Sequence, residues 1–203
     1  MPARGDHEAR RRDVSEAVWR VLAAHGFDGL TLRAVAGEMG ASTGLLTHYF
    51  PTKRALVRYA LDVAEERTLT RVMRVPEGEG LAALRAALLD VLPLTPDGAA
   101  MNKVWVSSWD HALGDPEFGA GQTARYARWR GRLRPHVEAA IRRGELPPDT
   151  DPDDVVALAA ATTHGLVVQA LFDPERFPPE RQAALLDQFL DSIGVSSCPS
   201  STD

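Results

Sequence analysis

The sequence predicts an all-α protein, and three observations carry that expectation. Apolar residues recur at helical spacing through most of the 203-residue chain; the breaks between those stretches are short and rich in Pro, Gly and Asp; and no stretch alternates apolar and polar residues as a half-buried strand does. Hydrophobic residues make up 44% and charged residues 25%, ordinary values for a chain that folds around a core.

The first helix spans about residue 8 to His25, where Val14, Ala17, Val18, Val21 and Leu22 form the apolar stripe and Gly26 supplies the stop. Thr31 is placed to cap a second helix, whose stripe is Leu32, Val35, Ala36 and Met39 and which ends at Gly40. Ser42 caps a third, from Thr43 to about Phe50. Pro51 cannot continue that helix but is tolerated at the start of the next, a long one from about Thr52 to Met73. "PEGEG", residues 76 to 80, is a boundary loop, and further helices are expected at about 81–92, 98–113, 116–143, 152–172 and 178–193. The expected organisation is a head over 1–52, a helical body over 53–194 and a polar tail over 195–203.

Charge is unevenly placed. Residues 1–75 carry 12 Lys and Arg against 9 Asp and Glu, whereas residues 76–203 carry 11 against 19. A mildly basic head on an acidic body suits a polyanionic partner at one end only. The lone Cys198, in the polar tail, allows no internal disulfide and points to a reducing, cytoplasmic compartment. No segment is read as apolar enough to span a bilayer, so no membrane partner is expected.

The short third helix is the informative one. Leu46 and Phe50, four apart, point one way with Leu45 and Tyr49 beside them, while Thr43, Thr47, Gly44 and His48 occupy the opposite face. Two short helices joined at Gly40, with a longer one behind, form the helix-turn-helix arrangement, whose second helix enters the DNA major groove. Gly44 allows close approach, Thr43, Thr47 and His48 can reach base edges or phosphates, and Lys53 adds a cation. The arm "ARGDHEARRR" offers Arg4, Arg10, Arg11 and Arg12 either to the minor groove or simply to solvent.

"GFDGLTLRAVAGEMGASTGLLTHYFPTKRALVRYAL", residues 26–61, resembles the DNA-binding head of the TetR/AcrR transcriptional regulators nearly throughout. The resemblance implies that Thr31 and Ser42 touch phosphate, that Arg33 is placed to reach a base, that Thr43, Gly44 and His48 line the groove, and that Tyr49 and Lys53 meet the backbone; the fork of Arg33 matches guanine O6 and N7, the alternative being contact with phosphate or solvent only. The family usually has Tyr where this chain has Thr47, whose side chain is too short to replace a phenol's phosphate contact directly.

"VWVSSWDHALGDPEF", the Arg-rich "RYARWRGRLRPHVEAAIRRGELPPDTDP" and "HGLVVQALFDPERFPPERQAALLDQFL" resemble the body of the BetI-type branch, which includes choline-responsive repressors. That likeness implies a homodimer joined through the last two helices. Here Ala157, Ala161 and Gly165 on one, and Leu185, Leu186, Phe189, Leu190 and Ile193 on the other, supply the surface. A two-fold dimer pairs with palindromic double-stranded DNA.

For a small-molecule effector the pointers are aromatic: Met101, Trp105 and Trp109 with Ser108 and Ala112 on one helix, Phe118, Tyr126 and Trp129 on the adjoining one, and Thr163, His164 and Val167 on the next. An aromatic cage with Asp110 nearby would suit a quaternary ammonium; Asp110 and His111 read equally as surface residues.

An enzyme is disfavoured: there is no H-E-x-x-H, no Cys pair for zinc, no Glu-x-x-His pair and no G-x-S-x-G elbow, so neither a metal nor a cofactor is expected. "GAGQTA", 119–124, fits a dinucleotide fingerprint formally, but no strand precedes it. The expected function is a ligand-responsive, DNA-binding transcriptional regulator, and the resemblance implies that it represses. The alternative is a helical scaffold without sequence-specific DNA binding, which leaves Arg33, Thr43, His48 and Lys53 without a role.

Overall fold

The computed structural model describes residues 4–71 and 78–194, with side chains from residue 10 onward. The tail, Cys198 and the first residues of the 76–80 loop lie outside the described residues, as do the side chains of the arm before Arg10. All regular structure among the described residues is helical: α1 (Arg4–His25), α2 (Leu32–Met39), α3 (Thr43–Tyr49), α4 (Lys53–Thr70), α5 (Leu81–Leu89), α6 (Pro96–Ser107), α7 (Trp109–Gly114), α8 (Pro116–Arg142), α9 (Pro152–Phe172) and α10 (Pro179–Ile193).

Two compact units form, and their limits differ from the head and body read from the sequence. The first joins Met1–Arg71 to Ala100–Ala120; the second joins Val72–Ala99 to Gly121–Asp203. Residues 100–120 go with the head because their apolar side chains are claimed by its core. Val104 and Trp105 are buried among Val18, Leu22, Phe27, Leu30, Leu46, Leu56 and Val57, with Met101 and Phe118 packed at the edge. Burying each large aliphatic or aromatic side chain is worth about 1.5–3 kcal/mol.

Local signals set the ends of the head's helices. Thr31 Oγ1 accepts from Ala34 N and Thr52 Oγ1 from Ala55 N, each at 3.1 Å, so two helix starts are capped. Gly40 ends α2 at φ 61°, and its N–H reaches back to the Ala36 and Gly37 carbonyls. Ser42 departs from expectation: it holds the N-cap position of α3 but makes no side-chain cap hydrogen bond.

The helix expected over 98–113 is two helices. Ser107 Oγ donates to Val104 O at 2.9 Å and Ser108 Oγ to Trp105 O at 2.7 Å, while Ser108 N donates to the same Trp105 carbonyl at 3.1 Å. Two adjacent hydroxyls drawing on the preceding turn tighten it and end α6. Trp105 and Trp109 therefore lie on different helices.

In the second unit α5, α9 and α10 pack on one another. Leu84, Leu88, Val156, Ala159, Val167, Leu186 and Leu190 are buried, as are Leu133 and Val137 of α8. Contrary to the reading that no segment could span a bilayer, α9 is long and apolar enough by length and composition. Its Val155, Val156, Ala159, Ala160, Thr163, Leu166, Val167 and Ala170 are instead buried in the protein.

The start of α5 is held by a distant carboxylate: Glu145 Oε2 accepts from Leu81 N at 2.7 Å, and Arg143 Nε donates to Glu145 Oε1 at 2.7 Å. Burial opposes ionisation of Glu145, but these bonds from Arg143 and the Leu81 amide leave its pKa lowered. Gly80 makes the approach possible, with φ 69° and no Cβ; an added Cβ would stand 2.2 Å from Glu145 Oε2. Gly80→Ala is expected to destabilise the protein by about 1–3 kcal/mol, read from the urea-unfolding midpoint.

Candidate nucleic-acid interface

The reading surface starts from one buried side chain. Leu46 of α3 is fully buried and Phe50 nearly so, with the Phe50 ring 5.2 Å from that of Tyr59 on α4. Fixing Leu46 inward turns the opposite side of α3 to solvent: Thr43, Gly44, Thr47 and His48 are all exposed, and Tyr49 is exposed at its end. Nothing but Ser42 Oγ, at 3.9 Å, stands near a Cβ built at Gly44. Thr47 Oγ1 donates to Gly44 O at 2.9 Å, so its proton is already engaged within the helix. The His48 and Tyr49 rings meet edge-on at 6.1 Å.

Thr31, Arg33, Ser42 and Lys53 are also exposed. Four other cations of the first unit are committed elsewhere. Arg20 pairs with Glu38, Arg67 with Glu16 and Arg58 with Glu117, while Arg54 pairs with both Asp115 and Glu117. Arg33 and Lys53 pair with no acid among the described residues. Thr43, Gly44, Thr47 and His48 thus share the exposed side of α3, and Thr31, Arg33, Ser42 and Lys53 are exposed on the segments next to it in the chain.

The aromatic residues read as effector contacts fall into two groups. Met101, Trp105 and Phe118 belong to the first unit's core: Trp105 Nε1 donates to Thr68 Oγ1 at 3.0 Å, and Phe118 lies under the Arg54 guanidinium at 5.2 Å. Trp109 is half-buried on α7, and Asp110 beside it is exposed. The His111 ring lies 5.7 Å from Phe27. These partners were not legible in the sequence, because Thr68, Arg54 and Phe27 are distant along the chain.

The second group is in the second unit. His164 sits between the rings of Tyr126, at 5.1 Å, and Trp129, at 4.9 Å. Arg125 lies over the Tyr126 ring at 5.1 Å. Thr163 is fully buried and its Oγ1 has no hydrogen-bond partner among the described residues; Val167, one turn on, is buried with it. Burial, then the charges of Arg125 and Arg130, lowers the His164 pKa to about 4.

Of the residues read as a dimer surface, Ala157, Ala161 and Gly165 are exposed on α9, and Leu185, Phe189 and Ile193 are half-buried on α10. Leu186, at 0% exposure, and Leu190, at 5%, pack into the subunit's own core and have little surface left for a partner. Sequence reasoning missed two larger side chains on α9: Leu158 is 55% exposed and Phe172 81%. Their spacing from Ala161 and Gly165 was readable, but which side of an apolar helix faces out was not.

A short helix anchored by Leu46, preceded by a glycine-ended partner helix and presenting a polar face to solvent, defines a helix-turn-helix DNA-binding transcriptional regulator. The family model of bacterial regulatory proteins of the tetR family matches residues 15–60, and that of the C-terminal part of BetI-type transcriptional repressors matches residues 81–195. The chain belongs to the TetR family, with a C-terminal part of the BetI type. It is 27% identical over 198 residues to the HTH-type transcriptional regulator PksA of Bacillus subtilis, covering 96% of this chain and 95% of that one. To the HTH-type transcriptional regulator BetI of Escherichia coli K12 it is 25% identical over 194 residues, covering 94% and 96%. The same fold is seen in a regulator from Saccharomonospora viridis solved in complex with choline, with TM-score 0.79, 21% identity and coverage of 92% and 98%.

The low pKa of His164 sets a pH dependence for folding. The unfolded chain takes up this proton near pH 6.5 and the folded chain only near 4, so the unfolded state binds more protons in between. Stability is expected to fall as pH drops through that window, and His164→Gln to flatten this part of the curve, as measured by urea unfolding from pH 7 to 4.5.

Proposed function

We propose that the protein is a homodimeric, ligand-responsive repressor that works in the cytoplasm. Two copies bind a pseudo-palindromic operator, one α3 in each of two successive major grooves, and a small-molecule inducer releases them. The observation that carries this reading is the exposed face of Thr43, Gly44, Thr47 and His48, with Arg33 and Lys53 exposed on the helices before and after it in the chain. Thr31, Ser42, Tyr49 and Lys53 meet phosphate, His48 and Thr43 line the groove, and Arg33 reads guanine through its fork.

Support for pairing comes from the outward side of α9, where Leu158, Ala161, Gly165 and Phe172 offer apolar surface and small residues allow close approach. The effector site centres on Tyr126, Trp129 and His164. The S. viridis relative holds choline. In this chain the Tyr126 ring already carries the Arg125 guanidinium, so an uncharged or anionic effector suits the site better than a quaternary ammonium. Release then requires that the effector bind the DNA-incompetent arrangement of the dimer more tightly than the competent one.

Enrichment of the purified protein on randomised duplexes at modest salt tests the operator. A palindromic motif is expected, with half-sites about one helical turn apart or a multiple of it. Arg33→Ala and His48→Ala should relax it at defined base positions; salt-sensitive binding without base preference would return the head to a scaffold role. For the dimer, sedimentation of Leu158→Asp/Phe172→Asp should give half the wild-type mass. A monomeric wild-type protein would sink the two-copy reading.

A further inference from the structure

Four charged side chains and a ring are left without a role by the DNA-reading surface, and all lie in the first unit, between the start of α4 and the α7–α8 corner. Arg54, two residues from the cap of α4, is bound by both oxygens of Asp115, with Nη2 to Oδ1 at 3.1 Å, and by Glu117 Oε2 at 2.7 Å. Its guanidinium lies over the Phe118 ring. Arg58, one turn on, pairs with the other oxygen of Glu117.

Exposed ion pairs contribute little when two flexible side chains meet alone. This cluster is built differently. Asp115 is fixed by accepting the amides of Glu117 at 2.9 Å and Phe118 at 3.4 Å, which caps the first turn of α8. One planar fork then spans two carboxylates, a geometry open to Arg and closed to Lys. Only the short link Phe50–Thr52 separates this end of α4 from the reading helix.

Arg54 and Arg58 lie close to Lys53 in the chain, and a free arginine there would be drawn to phosphate. Two carboxylates on the same guanidinium contradict that, since they would repel a phosphate brought to it. We infer that Arg54, clamped by Asp115 and Glu117, is a positioning residue that locks α4, and through Pro51 the reading helix α3, to the α7–α8 corner in the arrangement that binds DNA. The corner is thereby a specificity element that touches no base. This inference rests on the DNA-binding reading of α3.

Two effects of opposite sign separate this role from a direct contact. Removing a carboxylate near a polyanion should tighten binding by simple electrostatics, and should do so most if Arg54 were then freed to reach phosphate. Loss of the clamp should weaken it. The test measures affinity of the full-length protein for the duplex enriched by the wild type, across a salt series, for Asp115→Asn, Glu117→Gln and Arg54→Lys. All three are expected to bind about tenfold more weakly, with the slope of log affinity against log salt unchanged. Arg54→Lys keeps the charge and the helix, so its loss cannot be ascribed to a missing cation.

Tighter binding by Asp115→Asn, unchanged binding by all three, or a slope for Arg54→Ala smaller by about 0.9, the signature of one lost phosphate contact, would each overturn the clamp. Thermal melting of the free variants shows whether weaker binding is mere unfolding: a clamp role leaves the melting temperature near the wild-type value. If the wild type enriches no duplex, the operator reading fails first; if it does and the variants match it, only the clamp fails.

Discussion

A seven-residue helix does not persist alone in water, because nucleation fixes several residues for very few hydrogen bonds. α3 exists because Leu46 is driven out of water into the core made by α1, α2 and α4, with Phe50 closing its end. Everything the head presents depends on that burial. It fixes the rotation of α3 and so decides that Thr43, Gly44, Thr47 and His48 face outward together. The turn at Gly40, which ends α2, and the cap at Thr52, which starts α4, leave α3 as a separate short helix between them.

The same core decides the limits of the first unit. Trp105 and Val104 are apolar side chains that a core of this size can bury, and the break at Ser108 lets the chain leave α6 once they have been placed. With residues 100–120 enlisted, carboxylates at 115 and 117 come to the start of α4, and neighbouring cations there differ. Arg54 and Arg58 are neutralised by acids, whereas Arg33 and Lys53 pair with no acid among the described residues. A polyanion therefore meets a narrower basic surface than the sequence count of cations suggests. Narrowness of that kind favours one register on DNA over indiscriminate attraction.

In the second unit, burial and charge act together on His164. Two aromatic rings remove it from water and two arginines oppose a further positive charge, so the imidazole is neutral where an exposed one would be partly protonated. A neutral imidazole can both donate and accept, which is the useful state for recognising an uncharged or anionic molecule. α9 serves two purposes by facing two ways. Val156, Ala159, Thr163 and Val167 close the core, while Leu158 and Phe172 stay in solvent.

The sequence by itself determined the fold class, the helix-turn-helix and the presented face of α3, because these depend on spacing within a few residues: a 3.6-residue period, a capping hydroxyl, a glycine in the left-handed region. It also marked Tyr126, Trp129 and His164 as noteworthy, though not as neighbours. Only the tertiary structure decided that Met101, Trp105 and Phe118 pack into the first unit's core, that Leu186 and Leu190 are internal, and that Arg54 is held by Asp115 and Glu117. Each of those depends on residues tens of positions apart being brought within a few ångströms. Periodicity says that a helix has an apolar side, but which neighbour covers it, and which cation finds a carboxylate, is settled when the helices pack.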